Sequence, residues 1–243
     1  MIQKPHTILL LTASIDPGIS NTPMTFINSP TERLQQYRDN IERLLTNSNF
    51  DVIIFCENTE YSYDYSALKA LAGKHRKTLE TLIFKGNIKK IENCGKGYGE
   101  GEIIKYAIEN SNYLMPDSVF YKLTGRLYVD NINKLLLKDV EKENCFIKFK
   151  YNKPMTDTRF FKASVSFFKE NLILAYENVD DRNGRFLEMV YFDRLKHNPK
   201  IHTFSNYPNI QGLSGSTGMK YDLGFFKYMA YQIFLKLGLL TVK

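Results

Sequence analysis

Gly95-Lys96-Gly97-Tyr98-Gly99-Glu100-Gly101-Glu102 stands in the middle of the chain, and Tyr121-Lys122-Leu123-Thr124-Gly125-Arg126 follows it one helical pattern later. Glycine reaches positive φ and lets a backbone come close to a ligand. A glycine turn that opens a helix also aims N–H groups at whatever binds there, usually an anion. The spacing fits neither the Walker nor the dinucleotide fingerprint. The expectation is a ligand-binding turn, then a helix with Ile103, Ile104, Ala107 and Ile108 on one face, then a strand over residues 119–123. Turn, helix and strand in that order form one unit of a pattern that fills the first half of the chain.

The pattern extends outward. Residues 7–13 read as a buried strand around Ile8-Leu9-Leu10-Leu11, and a loop rich in Asn, Pro, Ser and Thr then runs to Ser29. Ser29 is a candidate N-cap, with Pro30 at the first helical position and Glu32 completing a capping box. Leu34, Tyr37, Ile41, Leu44 and Leu45 supply that helix with an apolar face. Asp51-Val52-Ile53-Ile54-Phe55-Cys56 is an apolar run of strand length that ends in Glu57-Asn58-Thr59-Glu60. A helix over 66–77 and a strand over 81–84 come next. Strands alternating with helices predict an α/β fold: a single Rossmann-like domain with a mainly parallel central sheet flanked by helices. Polar ligands of such sheets bind beyond the carboxyl ends of the strands. Thr12, Ala13, Ser14, Glu57, Asn58, Gly125 and Arg126 fall at such ends.

The C-terminal half is irregular. Residues 145–151 alternate around Lys148 and Lys150 and predict a half-exposed strand. Short strands are expected over 157–162 and 201–204, helices over 164–178 and 185–197, and a loop over 206–218. The aromatic segment 221–240 closes the chain. No linker or internal repeat divides it. Residues 1–130 read as a nucleotide-binding half, 131–219 as an irregular half and 220–243 as a C-terminal helix.

Composition narrows the class. An apolar fraction of 43% and a charged fraction of 24% over 243 residues are those of a globular domain. A formal net charge of +7 favours an acidic partner such as a nucleotide, a nucleic acid or an anionic membrane, or else a solvated basic surface. Cys56, Cys94 and Cys145 lie far apart, without zinc spacing or a disulfide framework, which fits a reducing cytoplasmic setting. The first apolar run is shorter than a signal-peptide core, and nothing reaches the length of a transmembrane helix. His6, His75, His197 and His202 are scattered, so no pair stands at metal spacing.

Together these motifs resemble the GT-A-type glycosyltransferases. The stretches 95–102 and 122–126, Asp157-Thr158-Arg159-Phe160-Phe161 and Gly212-Leu213-Ser214-Gly215-Ser216 are similar to those of small bacterial transferases of capsule and lipopolysaccharide synthesis. The resemblance covers most of the chain. It implies a GT-A-like fold, a nucleotide-sugar donor bound by residues 1–130 and a glycan or lipid-linked acceptor on the side of residues 131–219, with work at the inner face of the cytoplasmic membrane. One departure stands out, since the chain contains no Asp-x-Asp metal motif. A departing nucleoside diphosphate needs positive charge, supplied by a divalent metal or by fixed Lys and Arg. Lys122, Arg126 and Lys96 are the expected substitutes, which makes a metal dispensable. Both Lys122 and Arg126 are also compatible with ordinary charges at a strand end.

Other residue types fit the remaining roles. An inverting transferase takes the acceptor hydroxyl proton with a carboxylate. Glu188 and Asp157 are the candidates, and Glu188 also suits helix-dipole compensation at a helix start. Gly97, Gly99 and Glu100 would approach the donor, and Glu100 and Glu102 could instead order the glycine turn. Arg33 and Tyr37, one helical turn apart, lie near the donor loops. Asp157 and Arg159 flank one position and would either pair or grip a ligand together. Ser214 and Ser216 lie in a glycine-rich loop suited to a phosphate site or a lid. The segment 221–240 suits core packing or peripheral membrane docking.

Three other readings compete. A nucleotidyl or phosphosugar transferase shares the nucleotide-binding half but uses carboxylate-held magnesium, which the missing Asp-x-Asp disfavours. A nucleic-acid-binding protein suits the basic charge, yet no RNP, zinc-finger or basic-helix motif is present and the aromatic residues sit inside apolar periodic segments. A non-catalytic scaffold with the same fold is the third alternative.

Overall fold

The computed structural model describes residues 6–20, 29–214 and 218–243, excepting the side chains of residues 19 and 20. In chain order it contains β1 (Ile8–Ala13), α1 (Pro30–Asn47), β2 (Val52–Glu57), α2 (Ser66–Lys74), β3 (Thr78–Ile83), α3 (Ile88–Cys94), α4 (Lys96–Asn110), β4 (Val119–Thr124) and β5 (Leu127–Val129). These are followed by α5 (Ile132–Lys138), β6 (Phe160–Ser164), α6 (Val165–Asn171), α7 (Leu187–Leu195), β7 (Ile210–Leu213), β8 (Lys220–Tyr221) and α8 (Gly224–Lys236). The fold is α/β, with a five-stranded sheet in the order β3-β2-β1-β4-β6. Its first four strands are parallel and β6 is antiparallel. A second sheet, β5-β7-β8, is antiparallel.

Why β1 and β2 are buried at every step follows from this layering. Successive side chains point to opposite faces, and both faces are covered. Leu9, Leu11, Ile53 and Phe55 join a core with α1, α2 and α5, while Ile8, Leu10, Val52 and Ile54 join a second core with α4, α6 and α7. The cap expected at the first helix is present: Ser29 accepts the Glu32 N–H at 3.4 Å, and Pro30 follows it. After β1 the chain pairs β2 on one side; after β3 it crosses to β4 on the other. Strand order therefore reverses between β1 and β4, and the crevice beyond their carboxyl ends is where polar ligands of such sheets bind.

The glycine run departs from expectation. It is not a turn but the first turns of α4, and α3 precedes it. Its glycines serve close packing. A Cβ at Gly101 would fall inside the Tyr176 side chain, and Gly95 combines φ +97° with a place against Asp181 that no side chain fits. Asp181 also accepts the Gly97 N–H at 2.9 Å. The protein's own carboxylate thus occupies the helix N-terminus where an anionic ligand was expected.

The C-terminal half differs in detail. Residues 145–151 form no regular strand. Cys145 makes single bridges to Lys162 and His202, Lys148 makes one to Thr156, and Cys145, Phe146 and Ile147 are buried. The segment 201–204 keeps only the His202 bridge. The helix expected over 164–178 is divided, α6 being followed by a 3-10 turn at Ala175–Asn178. The expected loop 206–218 contains β7. Among the described residues no helix is long and apolar enough to cross a membrane.

Candidate functional site

A cleft of about 740 Å³ opens at the carboxyl ends of β1, β2 and β4. Thr12, Ala13 and Ser14 from β1, Asn58 from β2, and Thr124 and Arg126 from β4 line one wall, as the strand-end argument required. Lys96, Gly97, Gly99 and Glu100 from α4 line it too. The irregular half contributes Phe149, Arg159, Phe186, Glu188, Tyr207 and Tyr221 to the lining.

Burial and hydrogen bonding fix the strand-end wall. Arg33, on α1, is buried and donates from Nε to the Ser14 carbonyl at 2.7 Å. Burial lowers its pKa, and Tyr37 beside it works the other way. The Tyr37 hydroxyl accepts the Ser14 N–H at 3.0 Å, so α1 holds the loop after β1. Arg126 donates to Gln36 Oε1 at 3.2 Å. Its buried Nε has no hydrogen-bond partner among the described residues, and neither has the buried Asn58 Oδ1. An orphaned donor and an orphaned acceptor in two cleft-lining residues leave an uncompensated desolvation beside the cleft.

Four expected ligand contacts have structural roles instead. Glu57 is fully buried and accepts the Ile15 N–H at 3.0 Å, the Thr59 N–H at 2.8 Å and the Thr59 hydroxyl. It braces the loops after β1 and β2 and does not line the cleft. Burial raises its carboxyl pKa against those hydrogen bonds. Gly125 donates to the Thr12 carbonyl at 2.9 Å and packs under Tyr37, closing β1 onto β4. Lys122 is fully buried; it pairs with Glu100 and donates to the Thr158 carbonyl at 2.7 Å and Thr124 Oγ1 at 3.1 Å. It therefore stands beneath the cleft, not on its wall. Asp157, the second base candidate, is buried and clamps Arg159 at 2.9 and 2.6 Å.

Arg159 itself lines the cleft, with its guanidinium 4.7 Å from the ring centres of both Phe149 and Tyr221. Burial opposes its charge, but the adjacent Asp157 outweighs that and holds it protonated. The pairing expected of these two residues is present, and it aims a fixed cation at the cleft.

Glu188 starts α7 and reaches the same space. Its Oε1 accepts the Thr158 hydroxyl at 3.2 Å. Surrounding protein atoms desolvate the carboxyl and raise its pKa, and nearby Glu100 adds to the effect. Desolvation likewise raises Asp181, although the Gly97 N–H and Lys96 oppose it. Glu102 accepts the Asn87 N–H at 3.0 Å and orders the start of α3. Ser214 lines the cleft at the end of β7, while Ser216 lies outside the described residues. Among those residues no group of three or more His, Cys, Asp and Glu side chains is arranged to hold a metal ion.

The residues that sequence reasoning missed are Asp181 and the aromatic wall. Asp181 carries no local signature, because its role arises from a partner 84 positions away. Phe149 and Tyr207 lie in segments read as a half-exposed strand and a loop, which gave no sign that they meet Tyr221 and Arg159 in one cleft. No protein-family model matches this chain, and no curated protein matches it significantly.

Proposed function

We propose that this chain is a glycosyltransferase that moves a sugar from a nucleotide-sugar donor to a saccharide or lipid-linked acceptor, in bacterial surface polysaccharide synthesis at the cytoplasmic side of the membrane. One observation carries this reading. The switch-point cleft is lined by the cations Arg33, Lys96 and Arg126 and by a desolvated carboxylate, Glu188.

In this reading the acceptor oxygen attacks the anomeric carbon and the bond to the diphosphate breaks. The electron pair leaves with the nucleoside diphosphate, and the acceptor proton passes to Glu188. A carboxylate of raised pKa is the better base for that transfer near neutral pH. Arg33, Lys96 and Arg126 meet the charge on the leaving diphosphate, which fixed cations stabilise most strongly in a water-poor site. Glu100 is engaged by Lys122, and among the described residues no group of three or more His, Cys, Asp and Glu side chains is arranged to hold a metal ion, which favours the fixed cations as the counter-charge. Lys122 acts indirectly by fixing Glu100 and Thr158. The aromatic wall suits a sugar face or an apolar acceptor tail.

Thermal shift against UDP, GDP, CMP, dTDP and their sugars, with and without EDTA, tests the proposal. The expected result is a shift with one nucleotide family that survives EDTA, shrinks in Arg126→Ala, and is followed by sugar transfer. A shift abolished by EDTA would remove the cation assignment. The absence of any shift or transfer would overturn the class.

A further inference from the structure

The C-terminal helix α8 turns only part of its surface toward the protein. Gln232 and Leu235 are buried, and Tyr228, Tyr231 and Phe234 pack partly against the core. Phe225 (71% exposed), Phe226 (87%), Met229, Ile233 and Leu237 (67%) face outward. At about 100° per residue these five side chains share an arc of roughly 120° on one side of the helix. A contiguous apolar stripe of this kind marks an interaction surface, unlike scattered single residues.

We propose that this stripe docks the protein onto an anionic membrane surface. The charges around it point to that occupant. From Leu223 to Lys243 the chain has no Asp or Glu, while Lys227, Lys236 and Lys243 are present and exposed. By the same helical arithmetic Lys236 lies at one edge of the stripe and Lys227 beyond the other. Lysines so placed keep their ammonium groups among lipid headgroups while the apolar face enters the acyl boundary. A second copy of this chain would bring lysine against lysine across the contact. Because α8 spans only Gly224–Lys236, it lies in the interface and does not cross the bilayer. Leu223, Lys227 and Tyr231 also line the cleft, so docking brings the cleft mouth beside the lipid surface.

Co-sedimentation of the full chain with phosphatidylcholine vesicles, with and without about a third phosphatidylglycerol, tests this. Binding is expected only with the anionic lipid and should weaken as salt rises. The double variant F226S/I233S, altered at two exposed positions outside the cleft, should lose binding at least about tenfold. Its melting temperature and nucleotide response should be unchanged, which separates this proposal from the proposed transferase function. K236Q should weaken binding and flatten its salt dependence. Failure to bind anionic vesicles would overturn the proposal, as would equal binding by the double variant. A dimer of the wild type that the double variant converts to monomer, without vesicle binding, would assign the stripe to a second copy instead.

Discussion

Lys122 and Glu188 are joined through one residue: the Thr158 carbonyl accepts from Lys122 Nζ at 2.7 Å, and the Thr158 hydroxyl donates to Glu188 Oε1 at 3.2 Å. A buried cation on β4 therefore sets the orientation of the carboxylate at the start of α7. The two halves of the chain meet chemically at this point, and the candidate base depends on both.

Glu188→Gln keeps the shape and removes the base. Turnover should fall by about 10²–10⁴-fold with nucleotide binding intact. Wild-type turnover should rise with pH through an apparent pKa above the ordinary glutamate value of ~4.3. Initial-rate pH profiles check both statements.

The same raised pKa makes a stability prediction. The folded state holds the Glu188 proton more tightly than the unfolded chain does, so this group's stabilisation is full below the unfolded pKa and is lost as pH rises through the folded value. The Gln variant cannot ionise. Its melting temperature should therefore gain on that of wild type as pH rises from about 4 to 8.

Arg126→Ala removes a guanidinium whose Nε has no hydrogen-bond partner among the described residues. Fold stability should change little, while nucleotide affinity should fall by about 1.5–3 kcal/mol, the range for a hydrogen bond to a charged group. Titration calorimetry against the nucleotide found by thermal shift measures the loss. Arg126→Lys should recover only part of it, because a point charge lacks the guanidinium fork.

Lys122→Met strands Glu100. Breaking a buried pair destabilises strongly, but the Glu100 side chain is 25% exposed, so a loss of roughly 2–3 kcal/mol is expected. The double variant Lys122→Met/Glu100→Gln should recover much of it. Denaturant titration of the single and double variants decides the point.

Asp181→Ala removes the carboxylate that caps α4, which should lower stability by about 0.5–2 kcal/mol. Gly101→Ala should be tolerated no better, since its Cβ meets Tyr176 and overpacking costs about 1–3 kcal/mol. Urea midpoints for both variants test whether the glycine helix is built for packing.

Most of the first half was legible in the sequence, for reasons that are local. β1 and β2 are continuous apolar runs because both sheet faces are covered, and the cap of α1 lies in adjacent residues. Strand ends then located Thr12, Ser14, Asn58 and Arg126 on the cleft, since a parallel sheet presents its ligands at that edge. Contacts distant in sequence decided the rest. Glycine spacing cannot distinguish a phosphate cradle from a helix pressed against Tyr176 and Asp181. A lysine at a strand end carries no mark of whether Glu100 will bury it. Residues 145–151 alternate like a strand, but their hydrogen bonds go to several separate segments. The sequence by itself determined the α/β order, the sheet edge and the residue types available there. Only the tertiary structure decided which of those charges face the cleft and which neutralise one another beneath it, because burial and pairing depend on neighbours that the chain brings together from far apart.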